Sequence, residues 1–153
     1  MKNLKSKLVV AFIALFSNGV FAQVDAVDKS GLAIGGYDVV SYQKDHKAVQ
    51  GTADFTEQND KITYHFSSKE NAKAFKANPK KYLPQVNGYC AWGVAEKDSK
   101  FSINPETFKV VDNKLYLFFN GDLNGTTVNT LDIWNKDESK YLSKIDSKWA
   151  AIK

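Results

Sequence analysis

The chain has 153 residues, of which 43% are hydrophobic and 13% aromatic, so it can bury one substantial core and is too short for two independent domains. Its 25% charged fraction and its three prolines exclude a disordered or low-complexity chain. Despite a formal net charge of +4, no arginine is present to form the planar fork that recognises phosphate and guanine, so we expect no nucleic-acid partner.

The first 22 residues have the pattern of a secretory signal peptide. Lysines precede an apolar run at residues 8–16 that is too short to span a bilayer, and Val20 and Ala22 flank Phe21 directly before Gln23, as at a cleavage site. Removing residues 1–22 also removes three lysines, and with them most of the net positive charge. We therefore predict a periplasmic or secreted protein with no stable membrane anchor after signal cleavage.

The mature chain is expected to begin with a short polar lead-in, residues 23–30, followed by a single domain at residues 31–153. The glycine pair Gly35-Gly36 predicts a turn near the start of this domain. Residues 39–42 have the composition of an extended segment, because valine dominates them.

A β-hairpin is predicted from residues 53–56 and 62–66, which are rich in β-forming side chains and flank a polar stretch. His65 should point away from the side chains on the buried face of the second strand. Alternation places three residues on that face: Ile62, Tyr64 and Phe66.

A short central helix is predicted next. Ser67 and Glu70 have the spacing of a capping box, in which each side chain bonds a free backbone N–H of the other residue. The helix should run to Ala77, and Pro79 should end or restart it, because the residue before a proline avoids the helical region.

The most unusual stretch of the sequence is residues 87–95, in which Tyr89 and Trp92 alternate with small residues. Small residues let backbone approach closely while aromatic rings fill a core or line a pocket. The stretch contains the single cysteine, Cys90, which excludes an intramolecular disulfide. The thiol is expected to be buried, or else to serve a function.

A second hairpin is predicted from residues 108–111 and 115–119, joined at Asp112-Asn113. Residues 130–153 predict an amphipathic helix that packs on the sheet. The fold class is therefore α+β, a small antiparallel sheet of two hairpins packed with a central short helix and a C-terminal amphipathic helix. The apolar side chains of that last helix recur at helical spacing: Trp134, Tyr141, Leu142, Ile145, Trp149 and Ile152.

Taken together, the order of these motifs resembles the YHS-domain family, and in particular its exported, stand-alone members. The resemblance covers nearly the whole mature chain, from about Gly31 to the C-terminus. It is carried by residues 36–42, 48–51, 64–68, Asn71, Phe75, Pro79, 81–82, 84–85, 88–91, 104–105, 114–117 and the terminal helix.

The resemblance also bears on metal binding. Cysteine-bearing relatives carry one thiol directly after the Tyr-x-Phe strand and a second four residues later, a pair associated with metals. The corresponding positions here are Ser67 and Asn71, so the soft ligands are absent and a thiolate zinc or copper site is not expected at this place.

Three functions are open from the sequence. The first is a binding module for an unknown small ligand. A transition metal such as copper, held by His46, His65 and Cys90, is one version of this function, because imidazole and thiolate suit copper. The pocket candidates are Tyr37, Tyr42, Tyr64, Gly88, Tyr89, Cys90 and Trp92.

The second function is a structural or interaction protein whose partner is another protein of the cell envelope. The third is a cysteine-dependent enzyme with Cys90 as the nucleophile and a histidine as the base. No third residue to orient such a base is evident from the sequence, so we expect a binding protein rather than a catalyst.

Overall fold

The computed structural model describes residues 23–153, and the predicted signal peptide lies outside the described residues. The predicted α+β fold class is confirmed. The predicted single sheet of two hairpins is wrong, because the strands form three separate two-stranded antiparallel sheets. The helices are α1 (Val39–Lys44), α2 (Lys69–Ala77), α3 (Pro79–Tyr82), α4 (Ala91–Lys97), α5 (Thr130–Lys136) and α6 (Glu138–Ile152). The strands are β1 (Thr52–Asn59), β2 (Ile62–Phe66), β3 (Asn104–Val111), β4 (Lys114–Phe118), β5 (Asn120–Leu123) and β6 (Thr126–Asn129).

All three hairpins close with a two-residue turn in which both residues have positive φ. This backbone geometry matches the right-handed twist of the paired strands. The hairpins β1–β2 and β3–β4 were predicted and are confirmed, with β3–β4 turning at Asp112-Asn113. The third hairpin, β5–β6, was not predicted, although its turn at Asn124-Gly125 is the strongest short-range hairpin signal in the chain.

The prediction of an extended segment at residues 39–42 is wrong, because these residues form the first part of α1. The Asp38 carboxylate caps the helix: Oδ1 accepts hydrogen bonds from the Val40 N–H at 2.9 Å and the Ser41 N–H at 3.3 Å. The local cap and burial of the first turn outweigh the weak strand preference of valine.

The same carboxylate joins α1 to the start of α2. Asp38 Oδ2 accepts from the Ser67 N–H at 2.9 Å, the Ser67 hydroxyl at 2.7 Å and the Asn71 amide at 2.7 Å. Burial raises the pKa of Asp38, but the hydrogen bonds from Asn71, Ser67 and Val40 outweigh it, so the pKa lies below its ordinary value. We call Asp38, Ser67 and Asn71 the Asp38 cluster.

The predicted cap of α2 is wrong by one residue. The Ser67 hydroxyl is engaged by Asp38, and the Ser68 hydroxyl accepts the hydrogen bond from the Asn71 N–H at 3.1 Å instead. The predicted end of the helix at Ala77 is confirmed, and Pro79 begins α3. Proline suits that first helical position because its missing N–H would have no partner there.

Part of the predicted lead-in, residues 23–30, is packed against the domain. Val24 and Ile103 exchange backbone hydrogen bonds of 2.8 and 2.9 Å. Ala26 is 1% exposed, and its carbonyl accepts from the Ile34 N–H. Apolar side chains at alternating positions explain why this short segment is held against the domain.

Strand β4 lies between two hydrophobic cores, because its successive side chains point to opposite faces. Leu115 and Leu117 belong to the first core, around Tyr42, Phe66 and Phe75. Tyr116 and Phe118 belong to the second, around Trp134. These four side chains of β4 are all buried.

The predicted C-terminal helix is two helices, α5 and α6, separated by a non-helical Asp137. Trp134 is fully buried, stacks on Tyr141 with ring centres 5.2 Å apart and meets Phe118 edge-on at 5.3 Å. The predicted apolar stripe is confirmed as core: Trp134, Tyr141 and Ile145 are buried, and Leu142, Trp149 and Ile152 pack partly buried against them. Helix α6 packs mainly on α4 and not directly on a sheet, while its buried side chains share the second core with β4. In residues 23–153, no helix combines the length and apolar composition that crossing a membrane requires.

Candidate functional site

Most of the stretch predicted as a pocket wall is the beginning of α4. Gly88 is buried at the end of a tight 3-10 turn, and Tyr89 is half-buried beside Trp149 with ring centres 6.0 Å apart. Cys90 occupies the N-cap position of α4, where its sulfur accepts from the Gly93 N–H at 3.4 Å. The small residues of this stretch therefore allow close packing of a helix.

Cys90 is fully buried, and its sulfur has three polar contacts. The sulfur accepts a second hydrogen bond from the Phe119 N–H at 3.4 Å and lies 3.3 Å from the Thr130 hydroxyl. The Thr130 hydroxyl donates its proton to the Phe119 carbonyl at 2.9 Å, so the Cys90 S–H donates to Thr130. None of these partners is a histidine or a carboxylate, and a nucleophilic thiol needs such a base or a cation.

We expect Cys90 to resist alkylation in the native protein. A buried thiol reacts only when the structure opens, so iodoacetamide should react about 1,000-fold or more slowly than with free glutathione. The measurement is the mass shift over time across pH, with the denatured protein as the positive control. Rapid alkylation of the native protein would contradict this geometry and favour the cysteine-dependent enzyme.

The proposed metal ligands His46, His65 and Cys90 are not brought together. His46 is exposed after α1, His65 is half-buried on β2, and Cys90 is buried beneath α4. No group of three His, Cys, Asp or Glu side chains within residues 23–153 is placed to hold a metal ion. The predicted copper set therefore has no common site in this part of the chain.

The predicted tyrosines are also dispersed. Tyr42 is buried in the first core, where its hydroxyl donates to the Pro105 carbonyl at 2.7 Å and burial raises its pKa. Burial likewise raises the pKa of Tyr64 to about 12, and this side chain lines a small cavity of about 150 Å³. Tyr37 is half-buried, with its hydroxyl 3.4 Å from the Glu106 carboxylate.

One predicted residue, Trp92, lines a much larger cavity of about 830 Å³ that is partly open to solvent. This cavity, called the Trp92 cavity below, lies between α4, the loop that follows it, the β5–β6 hairpin and the segment near Asp25. Its surface is mostly apolar. The lining residues are Asp25, Trp92, Lys97, Ser99, Lys100, Phe101, Ser102, Phe119, Leu123, Val128 and Thr130.

Two large hydrophobic side chains that are exposed in the described residues line this cavity. Phe101 and Leu123 are 38% and 51% exposed, and they are the large hydrophobic side chains classed as exposed within residues 23–153. Phe101 can lie on α4 because Gly93 has no side chain: a Cβ there would approach Phe101 Cδ2 to 2.6 Å. The apolar side of the cavity thus depends on this glycine.

The indole of Trp92 carries an unpartnered donor. Its Nε1 is shielded from water and makes no hydrogen bond with the part of the chain that the structure describes. A buried donor without a partner costs about 1–3 kcal/mol.

Sequence reasoning found Trp92 and missed the other walls of the cavity. Leu123 and Val128 come from a hairpin far from residues 88–94 in sequence, and Phe101 comes from the loop that follows α4. The signal that could have found the hairpin is Asn124-Gly125, which places Leu123 and Val128 on paired strands. Cys90 lies behind the cavity wall, where its thiol is hydrogen-bonded to the lining residues Phe119 and Thr130.

Comparisons of the chain with protein-family models, with curated proteins and with solved structures found no match.

Proposed function

We propose that the mature chain is an exported binding module of the YHS type and that the Trp92 cavity is its ligand site. The observation that supports this most is the convergence, in one place, of a cavity of about 830 Å³ with the two exposed large hydrophobic side chains. Small-molecule sites are concave, mostly apolar and about 300–1,000 Å³ in volume. The cavity has all three properties.

Energetics favour an occupant with a substantial apolar part. Phe101 and Leu123 expose much of their apolar surface to water, and an apolar ligand would cover that surface. Burial of apolar surface contributes about 25 cal/mol per Å².

The sequence also left open an interaction protein of the envelope, and the exposure of Leu123 suits that function too. Scattered exposed apolar side chains are ordinary on soluble proteins, whereas larger contiguous patches mark protein interfaces. Here the exposed side chains border a concave space, which favours a small ligand over a flat protein surface.

Binding of N-phenyl-1-naphthylamine, a neutral apolar fluorophore, tests the proposal. The mature protein is expected to enhance and blue-shift its emission with saturation at one site. Leu123→Gln should weaken binding about tenfold, because a ligand then covers less apolar surface. The measurement is a fluorescence titration of the folded protein.

The matched control is Ile133→Gln, a similar change on α5 outside the cavity lining and outside the two hydrophobic cores. It should leave the affinity unchanged, and circular dichroism should show that both variants are folded. Absence of saturable binding, or equal weakening by the two variants, would contradict the Trp92 cavity as a ligand site.

A further inference from the structure

The charges around the Trp92 cavity are unequal. Two lysines, Lys97 and Lys100, and one aspartate, Asp25, are its charged lining residues. Neither lysine forms an ion pair with another residue of the described range 23–153. The lining therefore carries more positive than negative charge.

The acidic side chains next to Lys97 in sequence are engaged elsewhere. Glu96 receives Lys144 at 2.5 Å and Lys140 at 3.4 Å, both from α6. Asp98 receives Lys148 of the same helix at 2.9 Å. Both carboxylates are therefore paired with lysines of α6 and not with Lys97.

The two lining lysines lie over aromatic rings instead of carboxylates. Lys97 Nζ is 5.4 Å from the ring centre of Trp92. Lys100 Nζ is 5.4 Å from the ring centre of Trp149 and 5.7 Å from that of Tyr89. A ring face attracts an ammonium group weakly and leaves its charge in place, so it can still attract an anion.

From this arrangement we infer that the ligand of the Trp92 cavity is an amphipathic anion: an apolar body with one acidic head group, such as a carboxylate or sulfonate. This inference rests on the proposed function. The apolar body covers Phe101 and Leu123, and the head group lies toward Lys97 and Lys100. Asp25 disfavours a second negative charge and limits the ligand to one acidic group.

A pair of fluorophores separates this inference from the proposed function. 1-Anilinonaphthalene-8-sulfonate has the ring system of N-phenyl-1-naphthylamine with one sulfonate added. The double variant Lys97→Gln/Lys100→Gln should weaken binding of the sulfonate about fivefold more than binding of the neutral probe. Asp25→Asn should strengthen binding of the sulfonate more than binding of the neutral probe.

The control variant Lys80→Gln/Lys114→Gln removes the same charge from exposed positions outside the cavity lining. It should leave both affinities unchanged. Raising the salt concentration should weaken sulfonate binding to the wild type and to this control more than to the Lys97/Lys100 variant.

The outcomes are distinct. If the Lys97/Lys100 variant binds both probes as the wild type does, or if binding of both probes is weakened equally, the inference of an anionic head group is wrong. The proposed apolar ligand site would then still be supported. If the control variant weakens sulfonate binding as much, the effect is one of net charge and the inference also fails. If the wild type binds neither probe, the inference and the proposed function fail together.

Discussion

Replacing Asp38 with alanine is expected to lower the free energy of unfolding by about 3–5 kcal/mol. The carboxylate accepts hydrogen bonds from the backbone and side chain of Ser67, from the Asn71 amide and from the first turn of α1. Without it, these buried donors lose their acceptor, and α1 and the start of α2 lose their shared contact. Urea unfolding followed by circular dichroism measures the loss.

The control for this prediction is Asp45→Asn, an exposed aspartate at the end of the same helix. It should change stability by less than about 0.5 kcal/mol. Asp38→Asn is informative because it keeps the size of the side chain but places an amide donor against other donors. Wild-type stability for either Asp38 variant would show that the cluster is not the junction described above.

The stabilisation that the Asp38 cluster provides should depend on pH. The folded pKa of Asp38 is depressed below the ordinary 3.8, so its stabilisation is fully present above that value and is lost as pH falls through the folded pKa. The stability difference between wild type and Asp38→Asn should therefore shrink below about pH 4.

Replacing Trp134 with alanine is expected to cost about 3–5 kcal/mol, because a fully buried indole is removed from the second core. The ring contacts Tyr116, Phe118 and Tyr141, and its Nε1 donates to the Glu138 carboxylate at 3.0 Å. Near-ultraviolet circular dichroism and urea unfolding should report the loss of this packing.

Trp134→Phe keeps part of the ring and should cost less than the alanine variant, which keeps the test usable if the latter does not fold. Ile133→Ala, on the same short helix but half-buried, is the matched control. If Ile133→Ala costs as much as Trp134→Ala, the indole is not the centre of the second core.

The sequence patterns predicted elements whose signals are local. The hairpins β1–β2 and β3–β4, the end of α2 at Ala77 and the apolar stripe of residues 134–152 all follow from periodicity and turn chemistry. The burial of Cys90 was also expected, and the structure confirms it. The hairpins, the helix end and the apolar stripe depend on neighbours close in the chain, whereas two of the contacts around Cys90 come from the distant residues Phe119 and Thr130.

The missed features depend on distant partners. Residues 39–42 become helical because Asp38 caps them, and the capping carboxylate is held in place by Ser67 and Asn71, which are distant in sequence. The break at Asp137 has neither the glycine nor the proline that usually marks the end of a helix. Cysteine is also not among the preferred N-cap residues, so α4 gave no recognisable start.

For the candidate site too, local signals in the sequence were found and distant partners were missed. Trp92 was identified because an aromatic among small residues is conspicuous in sequence. The walls opposite it, Phe101 and Leu123, reach it only through packing of a loop and a hairpin. His46 and His65 were candidates by residue type alone, and the fold gives them no common centre with Cys90.

The pairing of Val24 with Ile103 has a kinetic consequence. During synthesis the chain emerges from its N-terminus, so this early segment stays without its partner until most of the polypeptide has been made. Contacts between residues far apart in sequence form slowly, because closing a long loop costs entropy before any contact repays it. The N-terminal segment is therefore expected to join the domain late in folding.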